Sequence, residues 1–575
     1  MRQVHLAAAA RALTIALLLG AAAGPAAAQR AGARAMPADS AAAWREDLRV
    51  LAAELPRRHP LIFEGLTPTR LTRATFDSAV RDLDRRIPAL RRHEIVVGFQ
   101  RIVALIGDGH TSINASFDPA LGYHYYPLRL EALADGIFVV AADSAHGALV
   151  GRQVRRIGSM TAEDALRRVG SVQSHENEQF LRAHGTLYLM VPEVLHALGI
   201  TDAVDRAEVV VAGASRDSVV ALTPAGALRP AGHGPSARPV DESGWVTMRP
   251  SAVPAPLYLS RPEPRWVEYL PATRTLYVAY QSSMPSTAGE AIPAFITRVF
   301  ALADSLRPER LILDVRNNIG GESFFNRQLV LGIVRRPALD RRGALYAVIG
   351  RGTYSAAQNL VNELERYTNV TFVGEPTGSP PAFFGDHEQL VLPRSGITVN
   401  ISSLWWAAPL NPRDRRPFVA PRYFAEPGSA DVRAGRDPVL ESIDLWSKRP
   451  TLTAELTSAL ASADTAQLRS RLAGYRARPE NRYADVEPEV NALGYALLRS
   501  APRDAIRVFE VNASTFPGSA NAHDSLAEAY ERAGRRDDAI RTYRRALALD
   551  PRMGSSRDGL VRLGAEPGGA PAHGS

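Results

Sequence analysis

The chain has 575 residues, more than a single hydrophobic core organises, and its 46% hydrophobic and 22% charged content is that of a globular protein, not a disordered one. It has no cysteine, which excludes disulfides, thiolate catalysis and cysteine-ligated zinc. The net charge of +8 is carried almost wholly by arginine, with Lys448 the sole lysine among 68 basic residues; the arginines are scattered among acids without a long run, so nucleic-acid binding is not expected.

In chain order, Arg2 and Arg11 flank a short basic start, Leu13 to Leu19 are apolar, and Ala26-Ala27-Ala28 precede Gln29. This pattern predicts a secretory signal peptide over residues 1–28, hence export to a periplasmic or extracellular location. The apolar part is shorter than the roughly 20 residues that span a bilayer. No later segment has that character, so no integral membrane segment is expected after cleavage.

Residues 40–115 read as a helical subdomain. Leu48, Leu51 and Leu55 recur at helical spacing, as do Ile95, Phe99, Ile102 and Leu105. The second run ends in Gly107-Asp108-Gly109-His110-Thr111, a glycine-marked turn. Residues 120–223 are strand-rich, with Gly136 to Val140, Val154 to Gly158 and Ala207 to Ala221 as strands and a helix near Ala162 to Val169. Residues 224–264 are rich in Pro, Gly, Ser and Ala and suit a linker or long loop.

An α/β pattern occupies residues 265–447. Thr275 to Tyr280, Arg310 to Val315 and Leu345 to Ile349 read as buried strands of a mostly parallel sheet, and Ala291 to Ser305 and Ser355 to Arg366 as helices. Val370 to Val373, Gln389 to Leu392 and Thr398 to Ser402 read as further strands. Residues 451–565 are helical with an internal period: Ala505, Phe509 and Pro517 recur as Ala539, Tyr543 and Pro551, 34 residues on. Leu526, Ala527, Tyr530, Ala539, Tyr543, Ala546 and Pro551 match a tetratricopeptide pattern, which offers either a surface for a protein partner or a helical cap on the core.

The chemistry-bearing block runs from Leu311 to Gly378. Leu311 to Gly321 is a buried strand ending in an Asn/Gly loop. Thr353-Tyr354-Ser355-Ala356-Ala357 places a serine at a helix start, where the helix dipole favours an oxyanion and where a plain N-cap is the competing use. Gly374 to Gly378 is a third strand-to-turn transition. Sites of parallel sheets lie at the carboxyl ends of strands, so the three loops should converge.

These stretches, LILDVRNNIGG, TYSAAQNL and VGEPTGSPPAFFGD, with LIGDGHT upstream, resemble the tail-specific (C-terminal processing) peptidases, the tricorn core peptidases and the interphotoreceptor retinoid-binding proteins, over roughly residues 40–447. The resemblance implies a ClpP/crotonase-like mixed-sheet core, with the strand-rich middle region where relatives carry a PDZ-like or degenerate insert. It implies a serine peptidase acting through an acyl-enzyme, with Ser355 as nucleophile and the N–H of Ala356 and of Gly320 or Gly321 as oxyanion hole. The sequence has no HExxH, no Walker-type glycine loop with lysine and no GxGxxG after a strand, so no cofactor and no metal is expected.

A serine needs a base. Many tail-specific proteases use a lysine about 25 residues past the serine, but Ser379-Pro380-Pro381-Ala382 stands there, and Lys448 lies beyond the core. Arginine stays protonated and cannot substitute. Among the histidines His110 is the leading candidate, because Asp108-Gly109-His110-Thr111 resembles the catalytic histidine position of the tricorn branch; His387 is the runner-up. That branch has a serine before its histidine where this chain has Gly109. For the third, orienting carboxylate the resemblance points to Asp414, which stands about where the tricorn branch places its glutamate, with Asp108, Glu375 and Asp386 as rivals. The competing functions are a catalytically inactive relative that binds a peptide or apolar ligand, and a repeat-mediated docking protein.

Overall fold

The computed structural model describes residues 40–59, 61–114, 118–213, 215–227, 244–285, 289–407, 414–446, 448–462 and 464–566. The leader expected at 1–28 and residues 228–243 of the expected linker lie outside them.

Three helices open the described chain: α1 (Ala41–Arg58), α2 (Arg73–Arg86) and α3 (Arg92–Ala104). Ser40 and Thr72 cap the first two through their side-chain oxygens. Trp44, Leu48, Leu51 and Leu55 of α1 and Ile95, Phe99 and Ile102 of α3 fall on buried faces, as their spacing predicts.

In the middle region, β1 (Leu128–Leu133) and β2 (Gly136–Ala142) form an antiparallel pair. A second antiparallel sheet contains β3 (Val154–Ile157), β4 (Ala207–Val211) and β5 (Ser218–Leu222). Between them lie α4 (Ala162–Val169) and α5 (Glu178–His184). One apolar cluster joins residues between Trp44 and Leu222 and takes in Leu390, Val399 and Ile401 of a distant hairpin.

The second body is a six-stranded sheet in the order β6 (Arg265–Leu270), β7 (Thr275–Tyr280), β8 (Arg310–Asp314), β9 (Leu345–Ile349), β10 (Thr371–Gly374) and β13 (Tyr423–Phe424). Only the β6–β7 pairing is antiparallel. One face packs Leu276, Leu311, Leu313 and Leu345 against α6 (Ile292–Leu306), α7 (Asn326–Val334) and α8 (Ala356–Tyr367). The other packs Tyr277, Ile312, Tyr346 and Val373 against α9 (Pro438–Trp446). Burial on both faces is why β7 and β9 are buried at every position and show no alternation.

The strands expected at Gln389 to Leu392 and Thr398 to Ser402 are parts of a longer hairpin, β11 (Phe383–Val391) with β12 (Thr398–Trp406), which stands outside the central sheet. It meets the N-terminal body through a bridge between Ser112 and Asn400.

Helices α10 (Leu452–Ala459), α11 (Thr465–Arg476), α12 (Glu487–Leu497), α13 (Pro502–Thr515), α14 (Ala520–Arg532), α15 (Arg536–Leu549) and α16 (Gly554–Arg562) complete the described chain. Ala527 and Ala539 are fully buried where α14 and α15 meet, so small side chains let the pair close, and Phe509 and Tyr543 fill the grooves. The architecture is thus a mixed-sheet core with an N-terminal helical region, a strand-rich middle and C-terminal helical repeats. No helix among the described residues is long and apolar enough to cross a membrane.

Candidate active site

β8, β9 and β10 run parallel, so the loops after Asp314, Ile349 and Gly374 leave the same edge of the sheet. Hydrogen bonds tie them together: the Thr353 hydroxyl donates to the Val315 carbonyl (2.9 Å), the Tyr354 N–H to the Asn318 carbonyl (3.0 Å) and the Gly378 N–H to the Thr353 carbonyl (3.1 Å). Beneath them the buried Arg316 guanidinium donates to Asp314 (2.9 Å) and, through two nitrogens, to Asp437 (3.0 and 2.8 Å). Burial alone would weaken the Arg316 charge, but the two carboxylates raise its pKa well above the ordinary value.

Ser355 precedes α8 with φ +55° and ψ −123°, a left-handed conformation that costs a non-glycine residue on the order of 1–3 kcal/mol. It occupies the N-cap position, yet its side chain makes no cap hydrogen bond. Its Oγ lies instead 2.9 Å from His110 Nε2. The plain N-cap use of this serine is therefore not what the fold adopts.

His110 comes from the turn after α3. Gly107 supplies a positive φ of 70° there, and the buried Asp108 accepts the His110 N–H (2.9 Å) and the Thr111 hydroxyl (2.6 Å). Asp108 also faces His59 Nε2 at 3.3 Å. Burial raises the Asp108 pKa, but the contact with His59, the nearness of His110 and the Thr111 hydroxyl outweigh it and hold it low. Burial holds the His110 pKa down at about 4; the Asp108 charge opposes this and His387 reinforces it. His110 is therefore neutral at pH 7, the form a general base needs.

The other ring nitrogen, Nδ1, lies 2.7 Å from the Tyr354 hydroxyl, which in turn reaches Glu176 Oε1 at 3.4 Å. Burial, and next the Asp108 charge, push the Glu176 carboxyl well above the usual carboxylate range. A Cβ on Gly109 would lie 2.4 Å from the Tyr354 hydroxyl and 2.7 Å from Glu176 Oε2. The missing side chain at 109 is the space these two groups occupy.

This corrects the expectation for Asp414. Asp414 accepts from the Arg416 guanidinium (2.8 Å), which also holds Glu365 (2.8 Å), while the Tyr354 hydroxyl occupies the Nδ1 side of His110. The rivals are engaged too: Glu375 pairs with Arg351 (3.0 Å), and Asp386 accepts the Trp406 indole N–H (3.0 Å). His387 is exposed on β11.

The expected oxyanion donors divide. The Gly320 N–H is taken by the Asn318 side-chain oxygen at 2.9 Å. The N–H groups of Gly321 and Ala356 donate to no acceptor among the described residues. Gly320 serves by its lack of a side chain: a Cβ there would lie 2.6 Å from the Ser355 Cβ and 2.8 Å from the Ala356 nitrogen.

Ser355, His110 and Gly321 open on a cleft of about 990 Å³. Phe180, Leu187, Met190, Leu130 and Leu133 give it an apolar wall, beside which His184 stacks on Phe180 at 4.2 Å. Among the described residues, two groups bring three ligand-type atoms within 4.8 Å of one another: Asp108, His110 and Glu176, and His93, Glu94 and His196. In the first, both ring nitrogens of His110 and both Asp108 oxygens already hold hydrogen-bond partners. In the second, the Arg91 guanidinium lies 2.7 Å from His196 Nε2, where a cation would be repelled.

Tyr354 and Glu176 escaped the sequence reading. Tyr354 adjoins the serine and was open to notice; Glu176 lies in the polar stretch Gln173 to Asn177, which carries no motif.

The described fold matches that of mature CPAF complexed with lactacystin, at TM-score 0.50 and 13% identity, over 71% of this chain and 98% of that one. This shared fold covers nearly the whole of that protein. Two more distant similarities are to the photosystem II D1 C-terminal processing protease (TM-score 0.32, 13% identity, 66% of this chain and 93% of that one) and the tricorn protease (TM-score 0.30, 13% identity, 71% and 37%). A tetratricopeptide-repeat family model matches residues 522–556. No curated protein matches the chain.

Proposed function

We propose that the protein is an exported serine peptidase in which Ser355 is the nucleophile and His110 the base. The observation that carries this reading is the 2.9 Å contact between Ser355 Oγ and a neutral His110 Nε2, beside the unengaged N–H groups of Gly321 and Ala356. Ser355 Oγ attacks the peptide carbonyl carbon as its proton passes to His110 Nε2. The carbonyl oxygen takes the negative charge, and the two N–H groups stabilise it. Collapse of this intermediate breaks the C–N bond, and the leaving amine takes the proton from His110. Water, deprotonated by His110, then releases the acyl group and restores Ser355.

The apolar wall of the cleft favours peptides with hydrophobic side chains near the cut bond. The leader pattern at residues 1–28 supports action outside the cytoplasm. A histidine base is supported by the place of the single lysine, Lys448, which follows α9 and is not among the residues that line the cleft.

The test is labelling of the purified mature chain by a fluorophosphonate probe, compared with Ser355→Ala and His110→Ala. Labelling lost in both supports the reading. A folded wild type that does not label sinks it in favour of peptide or apolar-ligand binding in the same cleft.

A further inference from the structure

We propose that Tyr354, backed by Glu176, is the positioning residue that sets the tautomer of His110, an inference that builds on the catalytic reading above. For His110 Nε2 to accept the Ser355 proton, the ring hydrogen must sit on Nδ1. The group 2.7 Å from Nδ1 is the Tyr354 hydroxyl. Its oxygen accepts the Nδ1–H, and its own proton points to Glu176 Oε1 at 3.4 Å. The chain Ser355–His110–Tyr354–Glu176 thus has one direction of donation, set at its buried end.

Three features support this assignment. First, Tyr354 is fixed from both directions along the backbone: its N–H is held by Asn318, and the Ser355 that follows is held in a strained conformation. Second, the Tyr354 ring is packed between partners, stacked on His110 (4.5 Å) and tilted against Phe180 (4.6 Å). Third, the chain has glycine at 109, and any side chain there would displace the hydroxyl and the carboxyl together.

The titratable surroundings are specific. From the turn after α3, Asp108 faces both His110 and Glu176, with His59 of the α1 end behind it. From β11, His387 and the backbone of Phe384 face the imidazole. The Phe384 backbone is a rival acceptor for a ring N–H of His110. Burial pushes both the Glu176 carboxyl and the Tyr354 hydroxyl towards their protonated forms, so the link works by hydrogen-bond orientation.

The experiment has two readouts. The first is the His110 ring tautomer, from NMR of histidine-labelled full chain, with the signal assigned by its loss in His110→Gln. The wild type is expected to carry the proton on Nδ1, and Tyr354→Phe to lose that preference. The second is the fluorophosphonate labelling rate. Tyr354→Phe is expected to slow it by roughly 10- to 100-fold, the range of an orienting contact. Gly109→Ser alone should also slow it, by the clash with Tyr354. Glu176→Leu should cost more than Glu176→Gln, which keeps an acceptor. Thermal unfolding of each variant separates these effects from loss of fold.

An unchanged tautomer and rate in Tyr354→Phe would overturn the inference and assign the role to the Phe384 backbone. Equal losses in Glu176→Leu and Glu176→Gln would remove Glu176 from it. A wild type that does not label, but whose His110 tautomer changes in Tyr354→Phe, would sink the peptidase reading and leave the positioning role standing.

Discussion

Gly320 and Ser355 touch so closely that a single methyl group would fill the gap: a Cβ at 320 would lie 2.6 Å from the serine Cβ. The same Cβ would press on the Ala356 nitrogen at 2.8 Å, and the glycine's φ of +107° is unfavourable to any other residue. Gly320→Ala is therefore expected to displace the nucleophile and obstruct the Ala356 N–H. Loss of one oxyanion donor costs about 10²- to 10³-fold in turnover. The labelling rate of Gly320→Ala should fall by at least the lower figure. A rate within threefold of wild type would mean the loop relaxes and the close approach is incidental.

The pH dependence should be set by His110. Its ordinary pKa is about 6.5, and burial brings it to about 4. The neutral base then persists well below the usual histidine range. The labelling rate is expected to stay level from pH 7 down to about 5 and to fall as pH drops through about 4. A midpoint near 6.5 would show that His110 is open to water in solution. Stability falls in the same direction, as pH drops, but over a higher window. The folded state holds His110 and His184, also lowered to about 4 by burial, unprotonated, while the unfolded chain takes up protons below about 6.5. Stability should decline between those values, and His184→Gln should flatten the decline in a denaturant titration series.

Arg316 and its two carboxylates are the buried charge under the site. Removing one partner of a buried ion pair leaves an uncompensated charge and costs about 3–5 kcal/mol. Asp437→Ala is expected to fall in that range by urea unfolding. It should also lower labelling, since Arg316 lies in the loop that ends at Gly321. Asp314 keeps part of the charge compensated, so a cost under 1 kcal/mol would show that it suffices alone.

Much of this architecture was legible because local pattern and burial agree. The strands Thr275–Tyr280 and Leu345–Ile349 begin and end where their apolar runs do, and the 34-residue recurrence of Phe509 and Tyr543 falls on buried groove positions. The hairpin β11–β12 was only half legible. Asp386 adopts a positive φ of 52° inside the strand, which interrupts its regular pattern before Gln389. In the site, Ser355 and His110 could be found because motifs surround them. Glu176 could not, because its role depends on burial between elements far apart in the chain, and burial of a carboxyl is a tertiary fact. Asp414 was placed by position along the chain alone, and the Arg416 beside it claims it.

The last prediction concerns the helical repeats, which hold the edge of the central sheet. β13 has two residues, too few to be stable alone as an edge. Tyr483, between α11 and α12, packs against Phe418 (5.7 Å) and Phe424 (5.2 Å), and Arg422 donates to the Tyr475 hydroxyl (2.6 Å) and to Glu489 (3.0 Å). The strand is followed by Glu426, which pairs with the Arg351 of the cleft wall. A chain ending after residue 448 should therefore show faster amide exchange at residues 419–426, while β8 and β9, buried on both faces, stay protected. Tyr483→Ala in the full chain should reproduce part of that effect, since it removes only the aromatic contacts. Unchanged exchange in both variants would separate the repeats from the sheet and leave partner docking as their one role.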